Sequence, residues 1–413
     1  MTDARQEPPV LSETRGSLGL ITLNRPRAVN ALTIEMIDLM MAALDAFEAD
    51  PAVRVVAVVG AGERGLCSGG DVVALYRAAT AGREEECIEF FRKEYTLDHR
   101  ISRYPKPYVA LMNGLVLGGG IGLSAAGSHR VVTESTRTGM PETGIGFSPD
   151  VGGLKHLSGA PGRTGEHLAV TGLHIGGADA VYIGIADHYV PDASLPELLR
   201  ALEEVPSAAA QAAPEDQSAG SAVEDSATAE ARSTATPTAD AGDAAAAART
   251  DAAASADAAA SAVAAVIARF DRPAPEPPLA AAQPWIEEAY AADAVEQVRD
   301  NLAILAEREP QDEGIAAALA ALERNSPTGI KTAWEGIGRA RGLTLAQTLE
   351  QDFRTSGNAV LGHDMTEGIR AQVVDKDRTP AWDPPSLEEV GRDRVLGFFE
   401  PVPGYEDLRL PEG

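Results

Sequence analysis

The chain has 413 residues, 44% of them hydrophobic, 5% aromatic, and a formal net charge of −27. That length and apolar fraction allow one large domain with a second unit, or two domains, each with a core of its own. The acidic balance repels phosphate backbones and argues against nucleic acid as a partner, and two cysteines without a CxxC fit a reducing compartment and need no disulfide framework.

In chain order, residues 1–16 read as a flexible N-terminus without the apolar stretch of a signal peptide. Leu18-Gly-Leu-Ile-Thr-Leu23 reads as a strand. Thr33 can cap a helix whose Ile37, Met40, Met41, Leu44 and Phe47 share one face. Val55-Val-Ala-Val-Val59 is a run suited to a strand buried on both faces. Asp71 can cap a further helix, and residues 84–102 form a longer one that stops before Pro105. Tyr108-Val-Ala-Leu-Met112 and Arg130-Val-Val-Thr133 are strands, separated by a glycine cluster and an apolar helix. This alternation predicts an α/β fold.

Residues 206–262 are nearly all Ala, Ser, Thr, Asp, Glu and Gly. Nine acidic residues against two arginines contribute −7 of the total charge there. Such a segment has almost nothing to bury and reads as a linker or tolerated insertion, with its Ala-rich end, 244–270, able to turn helical. From Trp285 onward the pattern is helical: Val295, Val298, Leu302 and Leu305 share one face, and Ile315, Leu319 and Leu322 another. Ser326-Pro327-Thr328 is a helix start. No uncharged apolar run reaches about 18 residues, so no membrane span is expected, and a cytoplasmic location is.

Three segments carry chemistry. Cys67-Ser-Gly-Gly-Asp71 is a glycine turn that can bring a bare N–H to a ligand. Gly118-Gly-Gly-Ile-Gly122 precedes an apolar helix and can stabilise negative charge; its rival reading is tight packing. Gly120-Ile-Gly-Leu-Ser-Ala125 also fits a dinucleotide fingerprint, a weaker match because Glu134 stands too close behind it. Met140-Pro-Glu-Thr-Gly-Ile-Gly-Phe-Ser-Pro-Asp150 sets two carboxylates in one apolar, turn-rich stretch. Glu142 there suits proton transfer or attack on a carbonyl, while Asp150 has a helix cap as its alternative role. The seven histidines show no metal-binding spacing, so neither metal nor cofactor is expected.

These segments resemble the crotonase (enoyl-CoA hydratase/isomerase) superfamily. Ile21-Thr-Leu-Asn-Arg-Pro with Asn30-Ala-Leu32, the two glycine clusters and Asn113-Gly carry the resemblance. Phe90-Phe-Arg-Lys-Glu-Tyr95, Pro149-Asp-Val-Gly-Gly153, Ser326-Pro-Thr328 and His363-Asp-Met-Thr-Glu-Gly-Ile-Arg-Ala371 resemble its hydrolase branch. The resemblance implies a stack of ββα turns with a C-terminal helical extension. The crotonase-like core would span 17–205, the insert 206–262 and the helical region 263–413. It further implies an acyl-CoA substrate, an oxyanion hole at the Gly70 and Gly119 N–H groups, catalytic Glu142 and Asp150, and Glu94 in the substrate pocket. The implied reaction is hydrolysis of 3-hydroxyisobutyryl-CoA in valine breakdown, with CoA as part of the substrate and no separate cofactor. A homo-oligomer is possible by the same analogy. Hydratases carry a second catalytic glutamate where this chain has Gly122, so hydratase or isomerase activity is the alternative, and space near Gly122 is expected to admit a water. A non-catalytic scaffold that recruits partners through the insert is the alternative of another class. Arg25, Arg27 and Lys93 are candidates for the CoA phosphates.

Overall fold

The computed structural model describes residues 7–206 and 257–412. Strands β1 (Val10–Arg15) and β2 (Leu18–Leu23) pair antiparallel. Strands β3 (Val55–Gly60) and β4 (Tyr108–Met112) join in parallel. Strand β5 (Leu115–Leu117) leaves the sheet, and β6 (His129–Val132) returns to it. Strands β7 (Arg137–Gly139) and β8 (Ile175–Gly176) lie with β5, and β9 (His188–Tyr189) closes the large sheet. The large sheet runs β1-β2-β3-β4-β6-β9 and the small one β5-β7-β8.

The two sheets make a spiral. After β3, β4 and β6 the chain crosses to the small layer before a helix or helical turn begins. The crossings line up: Cys67 pairs in parallel with Val116, and Val116 with Thr138. The helices that follow them are α2 (Val72–Thr80) and α4 (Gly119–Ala125), then the 3-10 turn Pro141–Ile145. Helices α1 (Ile34–Ala49) and α3 (Glu84–Ser102) cover one face of the large sheet. The caps at Thr33 and Asp71 form as expected, each side chain accepting an N–H from its helix, that of Met36 and of Ala74.

Strand alternation places the core on both faces. Val56 and Val58 join the main cluster with Met36, Met40 and Leu44, whereas Val55 and Ala57 pack on the opposite side with Leu198 and Leu202. Val263, Ile267 and Phe270 complete that second cluster. Val263 and Ile267 belong to helical residues 257–268 and Phe270 to the turn that follows, so the edge of the low-complexity segment has a packing role that its composition hides. The rest of the insert lies outside the described residues.

Seven helices follow: Pro278–Tyr290, Val295–Arg308, Glu313–Arg324, Pro327–Ala340, Leu345–Val360, Asp364–Ile369 and Arg392–Gly397. The helical region thus opens at Pro278, before Trp285. Ser326 caps its helix by accepting the Gly329 N–H, with Pro327 in the first turn. Helix Leu345–Val360 lies along α3, which brings the C-terminal region against the core.

One buried side chain ties the first glycine loop to the sheet. Asn30 sits at φ 55° and is fully buried. Its Nδ2 donates to the carbonyls of Ala61, Gly65 and Leu66 at 3.2, 3.2 and 3.0 Å, and its Oδ1 accepts the Arg25 N–H at 3.0 Å. Asn30→Ala leaves these groups unpaired and puts a residue poorly suited to the left-handed region at that φ. A loss of about 2–4 kcal/mol is expected by chemical denaturation. A loss under about 0.5 kcal/mol, the level of an ordinary surface change, contradicts this account.

Candidate active site

The aligned crossings bring three segments to one level. Three residues after Cys67 comes Gly70, three after Val116 comes Gly119, and four after Thr138 comes Glu142. Gly69 and Gly118 precede the first two at φ 97° and 49°, a backbone turn that only glycine takes easily. Among the described residues, neither the Gly70 nor the Gly119 N–H donates to another backbone group. The two lie close together: a Cβ built on Gly119 would stand 3.4 Å from the Gly70 nitrogen.

Both glycines line a cavity of about 450 Å³. Its wall includes Glu94, Glu142 and Asp150, with Phe90, Phe91, Ile145 and Phe147. All four residues on which the resemblance puts chemistry at a side chain or N–H beside Glu94 are therefore in one place. Met365, Ile369 and Val373 close the cavity from the C-terminal region.

Glu142 projects from the 3-10 turn, buried, with its Oε1 2.6 Å from where a Cβ on Gly118 would be; its Oε2 has no hydrogen-bond partner. Burial pushes its carboxyl well above the ordinary range, and the Asp150 charge adds to this. Asp150 is not a helix cap: the cap of α5 (Gly153–Leu157) is Gly152, without a side-chain bond. Instead Asp150 Oδ2 accepts the Tyr95 O–H at 2.7 Å. Burial raises the Asp150 carboxyl to about 6, with the Tyr95 bond pulling against it. Glu94 is also buried, and a Cβ on Gly119 would overlap its carboxylate. Burial lifts it well above its usual range, followed by the charges of Asp150, Asp98 and Glu142.

Sequence reasoning missed several groups behind this wall. Ser356, on helix Leu345–Val360, has its Oγ 2.6 Å from the Tyr95 hydroxyl. With the Tyr95 proton committed to Asp150, Ser356 is the donor in that second bond. Asp352, one turn earlier, accepts the Gly152 N–H at 2.8 Å. Asp98 stands one turn beyond Glu94 on α3, fully buried. The available signal was a carboxylate recurring on the apolar face of an amphipathic helix, at Glu94 and Asp98 and again at Asp352.

One expectation changes. The space at Gly122 is not open: a Cβ there would meet the Asp98 carboxylate at 2.6 Å and Val151 at 2.8 Å. Gly120-Ile-Gly-Leu-Ser-Ala125 lies inside the buried α4, with Gly120 against the Cys67 carbonyl, so its glycines serve packing rather than a nucleotide. Of the basic candidates, Arg25 pairs with Asp71 at 2.9 Å and Lys93 with Asp38 at 2.6 Å. Cys67 and Cys87 are both buried, with burial pushing their thiols up to about 12 and about 11, which suits core residues and not nucleophiles.

The enoyl-CoA hydratase/isomerase family profile matches residues 18–241 and 234–399. The chain is 33% identical over 401 residues to the mitochondrial 3-hydroxyisobutyryl-CoA hydrolase of Gallus gallus, covering 97% of this chain and 91% of that one. It is 33% identical over 412 residues to the Homo sapiens protein of that name, covering 99% and 92%. Among solved structures it resembles a carnitinyl-CoA dehydratase from Mycobacterium thermoresistibile, with TM-score 0.78, 38% identity and 98% of each chain covered. It also resembles an enoyl-CoA hydratase from Rhodobacter sphaeroides 2.4.1, with TM-score 0.75, 32% identity, and 95% and 98% covered.

The Tyr95 bond supports Asp150 chiefly when Asp150 is ionised. The folded value near 6 lies above the unfolded one of about 3.9, so Asp150's own contribution to stability is full at low pH and lost as pH rises through 6. Tyr95→Phe is therefore expected to cost about 1.5–3 kcal/mol at pH 8, where a charged acceptor loses its donor, and clearly less at pH 5. Denaturation of both proteins at the two pH values checks it; equal costs would mean that Asp150 keeps the same charge at both pH values, against a titration near 6.

Proposed function

The chain belongs to the enoyl-CoA hydratase/isomerase family and has the crotonase fold, and within that family we propose that it is a thioesterase that hydrolyses 3-hydroxyisobutyryl-CoA. The observation that carries the reading is the meeting of two bare backbone N–H groups, Gly70 and Gly119, with the buried carboxyls of Glu142 and Asp150 in one largely apolar cavity. The names of the full-length relatives support the substrate.

In this reading the thioester oxygen sits between the Gly70 and Gly119 N–H groups. Negative charge grows there as the carbonyl is attacked, and each donor contributes roughly 3–4 kcal/mol in comparable sites. Glu142 takes a proton from a water as that water bonds to the carbonyl carbon. The tetrahedral intermediate then collapses, the C–S bond breaks, and the proton on Glu142 passes to the departing sulfur. The products are the free acid and CoA thiol. In the covalent variant Glu142 itself attacks the carbonyl carbon, the C–S bond breaks with departure of CoA thiolate, and water then cleaves the anhydride to return Glu142 and release the acid, its proton going to the thiolate. Asp150 faces the acyl chain and orients its 3-hydroxyl, and Glu94 helps shape the pocket around the same chain. Both routes need Glu142 ionised. Burial, with the Asp150 charge adding to it, holds its carboxyl well above the ordinary range, so activity falls as pH drops through that raised range.

The second reading is hydration or dehydration, after the names of the two structural relatives. Against it stands Gly122, where the hydratase pattern has its other carboxylate. Asp98 lies beside Gly122 but is not part of the cavity wall. No described helix is long and apolar enough to cross a membrane. Relatives are named as mitochondrial; for this chain we read a cytoplasmic place from the sequence. A homo-oligomer rests on family analogy, and no cofactor enters the reaction as written.

Wild type is expected to release free thiol from 3-hydroxyisobutyryl-CoA, and Glu142→Gln to lose about 100-fold or more in kcat. A thiol-trapping assay measures both. Hydration of crotonyl-CoA without thiol release moves the chain to the second reading, and an unchanged Glu142→Gln rate removes Glu142 from the chemistry.

A further inference from the structure

Five carboxyl groups are buried around the cavity: Glu94, Asp98, Glu142, Asp150 and Asp352. No basic side chain appears among the charges that act on Glu94, Asp98, Glu142 or Asp352. So many like charges without a counterion cannot all be ionised in a low-dielectric interior. Hydrogen-bond donors indicate where the charge can rest. Asp150 accepts the Tyr95 O–H, and Asp352 accepts the Gly152 N–H. Asp98 has no donor on either oxygen.

Asp98 also has a defined place. Its carboxyl stands against Gly122, where a Cβ would approach its oxygens at 2.6 and 2.8 Å. Val151 packs at the same spot, within 2.8 Å of that Cβ position. Val151 holds φ 50°, a conformation unusual for a β-branched residue, in the turn that carries Asp150. Asp352 braces the next residue of that turn from the C-terminal helix.

We propose that Asp98 is a positioning residue that works as a neutral carboxylic acid: it fills the space beside Gly122, packs with Val151 behind the turn, and holds Asp150 toward the cavity without adding a charge. The groups that face it are Asp150 from the turn, Asp352 from helix Leu345–Val360 and Tyr108 from β4, whose hydroxyl is buried and unpartnered; Cys67 lies within reach of its charge. Glu94 is one turn away on its own helix. Burial first, then Asp150 and Asp352, push the Asp98 carboxyl well above its ordinary range.

The sign of the consequence is fixed. A carboxyl raised on folding favours the folded state most below its unfolded value, and that advantage is lost as pH rises through the folded value. Asp98→Asn keeps the shape and cannot ionise. Its melting temperature is expected to match or exceed wild type at pH 8.5, by a margin that shrinks or reverses toward pH 5. Asp98→Ala leaves a hole between Gly122 and Val151, and is expected to melt lower at both pH values.

The activity arm rests on the thioesterase reading. Thiol release by Asp98→Asn is expected to stay near wild type at pH 7 and to gain on it as pH rises to 9.5. If Asp98→Asn instead melts as low as Asp98→Ala at neutral pH, or differs from wild type by a margin that pH does not change, Asp98 works as a charged group or is inert, and the proposal is overturned. The melting arm needs no substrate. Absence of thiol release from wild type therefore counts against the thioesterase reading alone, while the melting curves still decide the role of Asp98.

Discussion

The parallel pairing of Cys67 with Val116, and of Val116 with Thr138, sets the height of everything that matters in this molecule. Each turn of the spiral crosses the small layer at one of these residues and emerges with its next few atoms aimed at the same cavity. A strand slipped by one residue reverses its faces, so register here is not adjustable. Gly70, Gly119 and Glu142 come from segments far apart in sequence, yet they meet because three crossings share one ladder. The glycines at 69 and 118 take the positive-φ turns that precede Gly70 and Gly119, whose N–H groups have no backbone acceptor among the described residues. Asn30, fixed to three carbonyls of the first loop, keeps one of these peptides from drifting.

The site is electrostatically costly, and its surroundings show how that cost is distributed. Five carboxyls are buried there, and among the described residues no basic group acts on Glu94, Asp98, Glu142 or Asp352. Tyr95 divides the strain: its hydroxyl supports Asp150 and is itself supported by Ser356 from the C-terminal region. Asp352 spends one oxygen on the turn at Gly152. The C-terminal helices therefore do more than cover the core. They supply the hydroxyl and carboxylate that hold the turn of Asp150, and Met365, Ile369 and Val373 that line the cavity. Excluding water strengthens each remaining polar contact inside.

The frame of the fold was legible because local signals agree with the tertiary structure. The strands Leu18–Leu23 and Tyr108–Met112 and the helix Glu84–Ser102 form at the residues that pattern alone indicates. Thr33, Asp71 and Ser326 cap where their chemistry suits. Legibility ended where a residue's meaning depends on what another segment brings to it. Gly122 looked like vacant space, but α3 fills that space with Asp98. Asp352 and Ser356 carry no signal in their own segment; their role comes only from the helix lying on α3, where they meet Gly152 and Tyr95. The low-complexity stretch looked unable to bury anything, yet its end at 257–262 begins a helix with Val263 and Ile267 in the core. Each case has the same physical reason: composition and period report a residue's own preference, and burial of a polar group is decided by its partner.

Hydration and thioester hydrolysis use the same oxyanion support, so the N–H pair cannot by itself choose between them. The difference lies in which acyl atom faces a carboxyl. Addition across a double bond needs a proton at one carbon and water at the next, hence two carboxyls along one side of the chain. Hydrolysis needs one carboxyl at the carbonyl carbon. With glycine at 122, a carboxyl from α4 cannot reach along the chain, and Asp98 occupies its root from behind without entering the wall. Glu142 remains, its Oε1 near Gly118, next to the residue whose N–H would hold the carbonyl oxygen. A carboxyl anchored that close to the oxyanion position is suited to the carbonyl carbon itself. On the proposed reading Asp150 would stand farther along the acyl chain, where a hydroxyl on the third carbon needs an acceptor. Phe90, Phe91 and Phe147 limit how much chain can follow. On the proposed thioesterase reading, the packing that removes the second carboxyl leaves a cavity suited to a short, hydroxylated acyl group.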